Sequence, residues 1–97
     1  MSSVVAVVGA TGAVGREMLR TLERRNFPAS RVVALASERS VGKKLPFAGG
    51  ELAVELLEPK AFQGVEIALF SAGASVSREY APIAAQAGAV VIDNSSC

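Results

Sequence analysis

The sequence predicts an α/β fold, a doubly wound and mainly parallel sheet with helices on both faces. Short apolar runs rich in valine, alanine and isoleucine alternate with helical patterns along the chain. Small or polar residues follow several of these runs, as is typical where parallel strands end. With 97 residues, 51% of them hydrophobic and 20% charged, the chain has the size and composition of one domain, residues 1–97.

The first half of the chain predicts a strand, a helix and a second strand. Residues 4–8 form a β-branched run, and residues 32–36 form another. Between them, residues 13–25 place apolar side chains on one helical face, and Asn26 with Pro28 ends the helix. The apolar face consists of Val14, Met18, Leu19 and Leu22. This βαβ unit should have a right-handed crossover.

The next segment carries weaker signals. Residues 42–50, which include Pro46, predict a loop or a hairpin, and residues 52–57 predict a third strand. Because Glu51 and Glu55 flank and interrupt its apolar pattern, we expect this strand near an edge of the sheet. Residues 58–63 then predict a helical turn that ends at Gly64.

The last third repeats the alternation of strand and helix. Residues 67–70 predict a buried strand, residues 75–87 a helix with Ser75 or Ser77 as its N-cap, and residues 89–92 a final strand. Pro82 could kink this helix. Its packed face should consist of Val76, Tyr80, Ile83 and Ala84.

Three glycines at regular spacing, Gly9, Gly12 and Gly15, stand between the first strand and the first helix. This context is the one in which glycines let the backbone turn sharply and approach a pyrophosphate, which the helix N-terminus then attracts. The pattern predicts a dinucleotide-binding turn. The alternative is a glycine-rich turn without a ligand.

Ligands of open α/β sheets bind outside the carboxyl ends of the strands. The segments that follow the predicted strands there are glycine-rich, small or polar; they are residues 9–15, 37–43, 71–75 and 93–96. In the second segment, the Arg39 guanidinium can donate two parallel hydrogen bonds to a phosphate. Ser37 and Ser40 can donate further hydrogen bonds, and Lys43 can add a positive charge. The segment favours NADP, although Glu38 could instead serve an NAD ribose, and these charges could simply solvate a loop.

Composition argues against several functions. A net charge of +1 gives no basic surface for nucleic acid, and no stretch is long and apolar enough to span a membrane. The chain has one cysteine, Cys97, and no histidine, so an internal disulfide, a zinc site and a Ser-His type of triad are not expected. We expect a cytosolic protein.

Four motifs together resemble the aspartate-semialdehyde dehydrogenase family, over essentially the whole chain. They are Gly9 to Gly15 (GATGAVG), Ser37 to Lys43 (SERSVGK), Phe70 to Ser75 (FSAGAS) and Val91 to Ser96 (VIDNSS). The resemblance implies a Rossmann-like domain of an enzyme that reduces aspartyl phosphate to aspartate semialdehyde with NADPH. That step leads toward lysine, methionine, threonine and isoleucine.

The resemblance also implies which residues contact NADP. The glycine turn, with Gly9, Thr11, Gly12, Ala13, Val14 and Gly15, would hold the pyrophosphate; Ser37, Arg39 and Ser40 would hold the 2′-phosphate; and Ser71, Ala72, Gly73, Asn94 and Ser95 would lie nearer the nicotinamide. The family's catalytic cysteine, histidine and substrate-binding arginines come later in its pattern, and Cys97 does not match the catalytic position. We therefore expect a truncated chain that binds the cofactor without catalysis, from a full-length dimer or tetramer.

Three alternatives stay open from the sequence. One is the related N-acetyl-glutamyl-phosphate reductase, which shares the glycine motif, and another is a stand-alone module that binds or senses NADP. The third is a sugar-nucleotide-modifying reductase of the extended short-chain type. That type expects a Tyr-x-x-x-Lys pair, whereas Tyr80 is followed four residues later by Ala84.

Overall fold

A computed structural model describes residues 3–25 and 29–93. Its strands are β1 Ser3–Val8, β2 Ala29–Ala36, β3 Lys44–Phe47, β4 Gly50–Leu56, β5 Ile67–Phe70 and β6 Val90–Asp93. The helices are α1 Ala13–Arg24 and α2 Ala74–Gln86, with short 3-10 helices at Glu38–Ser40 and Pro59–Phe62. The strands form one sheet in the order β3-β4-β2-β1-β5-β6. Its pairs are parallel except for β3 with β4, which confirms the predicted fold class.

Helix α1 covers one face of the sheet. Leu19 is buried against Val7 and Ala34 of the two central strands, and Met18 and Leu22 pack against the same cluster. The predicted apolar face of α1 is thus confirmed for three of its four residues. Val14 differs, because 45% of its surface is exposed at the start of the helix.

Helix α2 and the second 3-10 helix cover the other face. Ala84 and Phe62 are fully buried there beside Phe70, and the predicted packed residues Val76, Tyr80 and Ile83 contact this cluster. The Phe62 and Phe70 rings stack with their centroids 6.1 Å apart. The step from β1 to β2 and the step from β5 to β6 run in opposite directions across the sheet. Because both crossovers are expected to be right-handed, their helices lie on opposite faces.

The hairpin alternative for residues 42–50 is confirmed, and the third predicted strand lies near an edge of the sheet, as expected. Strand β4 lies between β2 and β3, so β3 takes the edge. Ala48 and Gly49 connect the two strands with φ values of 51° and 82°, the left-handed pair that a tight hairpin turn requires. The glutamates of β4 are tolerated because Glu51 and Glu55 are exposed while Val54 is buried.

Helix α2 begins before the predicted serine caps. Gly73, with φ 104°, is the N-cap, so the prediction that Ser75 or Ser77 caps the helix is wrong. Pro82 lies inside the helix, and strand β6 extends to Asp93. The predicted end of the first helix at Asn26 and Pro28 lies outside the described residues.

One part of the sheet surface is uncovered in the described chain. Ile67 pairs in register with Val90, and Leu69 pairs with Ile92. These pairs lie on the face that α1 covers, but α1 packs over the central strands β1 and β2. Val90 and Ile92 are accordingly 62% and 50% exposed. Among the described residues, no helix has the length and apolar character needed to cross a membrane.

Candidate functional site

Three of the predicted segments meet at the carboxyl edge of the sheet. The glycine turn follows β1, the segment from Ser37 follows β2, and the turn from Ser71 follows β5. Because β1 lies between β2 and β5, the glycine turn stands between the other two. Asp93, at the end of β6, extends this edge by one strand.

The glycine turn is shaped by close backbone contacts. Gly9 has φ 84°, and a Cβ at this position would lie 2.8 Å from Cβ of Ala72 in the neighbouring turn. A Cβ on Gly15 would overlap the carbonyl oxygen of Gly9 and lie 2.7 Å from Cα of Ala10. Helix α1 therefore starts directly against the end of β1, as the dinucleotide-binding turn requires.

The N-terminus of α1 is open toward this edge. Gly12 is the N-cap, no side chain caps the helix, and the first turn contains no acidic residue. The carbonyl of Gly12 accepts the N–H of Arg16, which leaves the N–H groups of residues 13–15 without an intrahelical acceptor. A Cβ on Gly12 would meet only the Gly9 carbonyl oxygen, at 3.6 Å, so an anion can approach these donors closely.

The segment after β2 is joined to the glycine turn by two hydroxyl groups. Ser40 is 8% exposed, and its Oγ lies 3.4 Å from Oγ1 of Thr11. Ser37 and Arg39 are exposed at the same strand end. Within residues 3–25 and 29–93, Arg39 makes no ion pair, so its guanidinium is available to an anionic ligand.

The turn after β5 is tied to the glycine turn by Ser71. The Ser71 hydroxyl donates a 2.9 Å hydrogen bond to the carbonyl of Val8 and lies 3.4 Å from that of Gly9. Its backbone N–H also bonds the Val8 carbonyl, at 2.9 Å. Ser71 thereby fixes the turn in which Ala72 is exposed and Gly73 begins α2.

Two side chains gain roles that the sequence did not suggest. The Nε–H of Arg16 donates a 3.0 Å hydrogen bond to the carbonyl of Thr11, which holds the glycine turn from the helix side. Ser77 is 4% exposed, and its hydroxyl donates to Oδ1 of Asp93 at 3.0 Å. Nothing in the local sequence marks Arg16 or Ser77 for these contacts, because each contact depends on a partner outside the helix.

The remaining predicted residues cannot be placed. Asn94 and Ser95, together with Cys97, lie outside the described residues. Across the part of the chain that is described, no group of three or more metal-ligating side chains comes together. The open helix N-terminus and the exposed Arg39 fit a dinucleotide with an additional phosphate, in donor chemistry and in charge.

Comparison with known families agrees with this geometry. The family model described as "Semialdehyde dehydrogenase, NAD binding domain" matches residues 4–97. The chain belongs to this family. The aspartate-semialdehyde dehydrogenase of Bacillus subtilis is 59% identical over 92 residues, which cover 95% of this chain and 27% of that protein. The aspartate-semialdehyde dehydrogenase of Aquifex aeolicus is 58% identical over 93 residues, which again cover 95% of this chain and 27% of that protein.

Solved structures of the family share the fold. Aspartate semialdehyde dehydrogenase II of Vibrio cholerae, complexed with ASA, superposes with a TM-score of 0.93 at 51% identity, over 97% of this chain and 31% of that chain. The Candida albicans enzyme with NADP superposes with a TM-score of 0.81 at 24% identity, over 98% of this chain and 30% of that chain. The chain thus spans somewhat more than a quarter of the curated relatives it matches.

Proposed function

We propose that this chain is the cofactor-binding part of an NADP-dependent aspartate-semialdehyde dehydrogenase, with the catalytic and dimerisation domain in another part of a longer protein. The full-length enzyme would convert aspartyl phosphate and NADPH into aspartate semialdehyde, NADP and phosphate. Its high-identity relatives carry this enzyme name, and the family model describes an NAD-binding domain. A cytosolic location and a homo-oligomeric assembly belong to the same proposal.

The observation that carries the proposal is the open N-terminus of α1 beside the hydroxyls of Thr11 and Ser40. The free N–H groups and the positive dipole end of α1 would bind the pyrophosphate. Because β2 lies beside β1, the adenosine half of the cofactor would extend toward the segment after β2. The nicotinamide half, which supplies the hydride, would extend toward the turn after β5.

Preference for NADP over NAD rests on the segment after β2. A 2′-phosphate at this strand end would meet the Arg39 guanidinium and the hydroxyls of Ser37 and Ser40. The competing possibility is that Glu38 accepts hydrogen bonds from an NAD ribose and repels the phosphate. Glu38 begins the 3-10 helix and is exposed.

The proposal is tested by assaying the full-length enzyme for NADPH oxidation with aspartyl phosphate, and in parallel with N-acetyl-glutamyl phosphate. We expect turnover with aspartyl phosphate and a preference for NADPH over NADH. A preference for N-acetyl-glutamyl phosphate would assign the protein to the related reductase. Tight NADPH binding without turnover of either acyl phosphate would instead support the stand-alone binding module.

A further inference from the structure

Ser77 is a buried polar residue whose side chain bonds outside its own helix. It lies in the first turns of α2, and its backbone N–H donates to the Gly73 carbonyl at 3.1 Å. The side chain is 4% exposed and donates to Oδ1 of Asp93 at 3.0 Å. A buried hydroxyl is stable only with a partner, and this one is paired with a carboxylate on a neighbouring strand.

Asp93 is the last described residue of β6. It pairs in register with Phe70, the last residue of β5, and the sequence continues directly with Asn94 and Ser95. A hydrogen bond from α2 to the Asp93 side chain therefore fixes the end of β6 relative to the turn that starts α2. That turn is itself fixed to β1 by the hydroxyl of Ser71.

We propose that Ser77 and Asp93 form a positioning pair, which holds β6 at Asp93 against the first turn of α2 and so sets the turn after β5 for the nicotinamide half of NADPH. The inference rests on the proposed function. The Thr11 and Ser40 pair already links the segments for the adenosine half, at the other side of the glycine turn. The Ser77 and Asp93 pair performs the same task at the reacting end of the cofactor, where small displacements affect the rate strongly.

The test uses the full-length enzyme and begins with Ser77→Ala, which removes only the hydroxyl. We expect kcat at saturating aspartyl phosphate to fall about tenfold, because the nicotinamide end is misplaced. KM for NADPH should change by less than about twofold, because the adenosine half keeps its own contacts. Gln86→Ala, at the exposed far end of the same helix, is the control and should leave both constants unchanged.

Asp93 provides the second arm. Asp93→Ala should lower kcat at least as much as Ser77→Ala does, and the double variant should be no slower than Asp93→Ala, because the Ser77 hydroxyl acts through Asp93. Asp93→Asn retains a side-chain oxygen that can accept from Ser77 and should recover most of kcat. If Ser77→Ala does not fold, the comparison of kcat between Asp93→Asn and Asp93→Ala still tests whether the bond from Ser77 positions the cofactor.

Each arm has an outcome that overturns the inference. Unchanged kcat in Ser77→Ala and Asp93→Ala, losses that multiply in the double variant, or a loss confined to KM for NADPH would each contradict a positioning pair. A loss of thermal stability with unchanged kcat per folded molecule would show a purely structural bond. A wild-type enzyme without NADPH-dependent turnover would overturn the proposed function itself, and this inference with it.

Discussion

Individual residues at the strand ends fall into two kinds, those that shape the backbone and those that face a ligand. Gly9 and Gly15 shape it, because a Cβ at either position would collide with neighbouring atoms. Gly12 is different, because its Cβ would find space. Arg39 faces solvent and has no ionic partner among the described acidic side chains, so its contribution is expected in binding and not in folding.

Gly15→Ala and Gly12→Ala form a matched pair that tests the close approach of α1 to β1. We expect Gly15→Ala to lower the free energy of unfolding by about 3 kcal/mol, because the methyl group would push against backbone that cannot move away. Gly12→Ala should cost about 1 kcal/mol or less, since alanine is merely a poorer N-cap. Urea unfolding measures both, and equal losses would show that the contact at Gly15 is not tight.

Arg39→Ala tests the 2′-phosphate site. We expect the dissociation constant for NADPH to rise about tenfold to a hundredfold, the loss of charge-assisted hydrogen bonds worth about 1.5–3 kcal/mol. The constant for NADH should change by less than about twofold, because NADH lacks the phosphate that the fork would bind. Equilibrium titration with both cofactors measures these changes in the full-length protein.

Arg31→Ala is the matched control for this titration. Arg31 is also an exposed arginine of the β2 region, but it lies away from the carboxyl edge and pairs with Glu55 at 3.7 Å. It should leave both affinities unchanged, since exposed pairs contribute little. A similar loss for NADPH and NADH in Arg39→Ala would mean that Arg39 shapes the segment and does not read the phosphate.

Among the secondary structure elements, the second 3-10 helix contributes to the core although it has only four residues. Its Phe62 is fully buried, stacks on Phe70 of β5, and lies 6.3 Å from the ring of Tyr80 in α2. The connection from β4 to β5 thus fills the space between sheet and helix, as a longer crossover helix does in other α/β folds.

Phe62→Ala should therefore destabilise the whole domain. We expect a loss of about 3–5 kcal/mol, the usual cost of removing a buried aromatic ring, which is a large part of the stability of a small domain. Val41→Ala, at a side chain 47% exposed, should change the unfolding free energy by less than about 0.5 kcal/mol. A similarly small effect of Phe62→Ala in thermal or urea unfolding would refute the assigned role of this connection.

Most of the element order could be predicted from the sequence, because the strands near β1 are continuous apolar runs and α1 has a clear apolar face. The short edge strand β3 could not be told from a loop, because it contains Pro46 and has too few residues to show a period. The predicted N-cap of α2 was wrong because serine is a usual N-cap residue. The observed N-cap, Gly73, has a positive φ value that the sequence preference for serine does not indicate.

The site was predictable to a similar extent. The glycine turn and the segment after β2 were marked by residue types that phosphates require, and the structure brings them together through Thr11 and Ser40. The hydrogen bonds of Arg16 and Ser77 depend on contacts between elements, so no local pattern indicates them. Asn94 and Ser95 remain predictions.

In the molecule as a whole, the amino and carboxyl ends of the strands form two different edges of the sheet. At the amino edge lie the turns that contain Gly49, Gly64 and Gly88, which have no predicted ligand contact. At the carboxyl edge, hydroxyl groups join neighbouring segments: Ser40 with Thr11, Ser71 with the end of β1, and Ser77 with Asp93. This asymmetry is what a single dinucleotide site at the carboxyl edge requires.

The most direct test of this account is to follow the backbone amide chemical shifts of isotope-labelled protein during titration with NADPH and then with NADH. NADPH should shift residues 9–15, 37–43 and 71–73, and leave Gly49, Gly64 and Gly88 unmoved. The difference between the two cofactors should be confined to residues 37–43. Shifts centred on the amino edge, or no saturable shift at the carboxyl edge, would contradict the assignment of this edge as the NADP site.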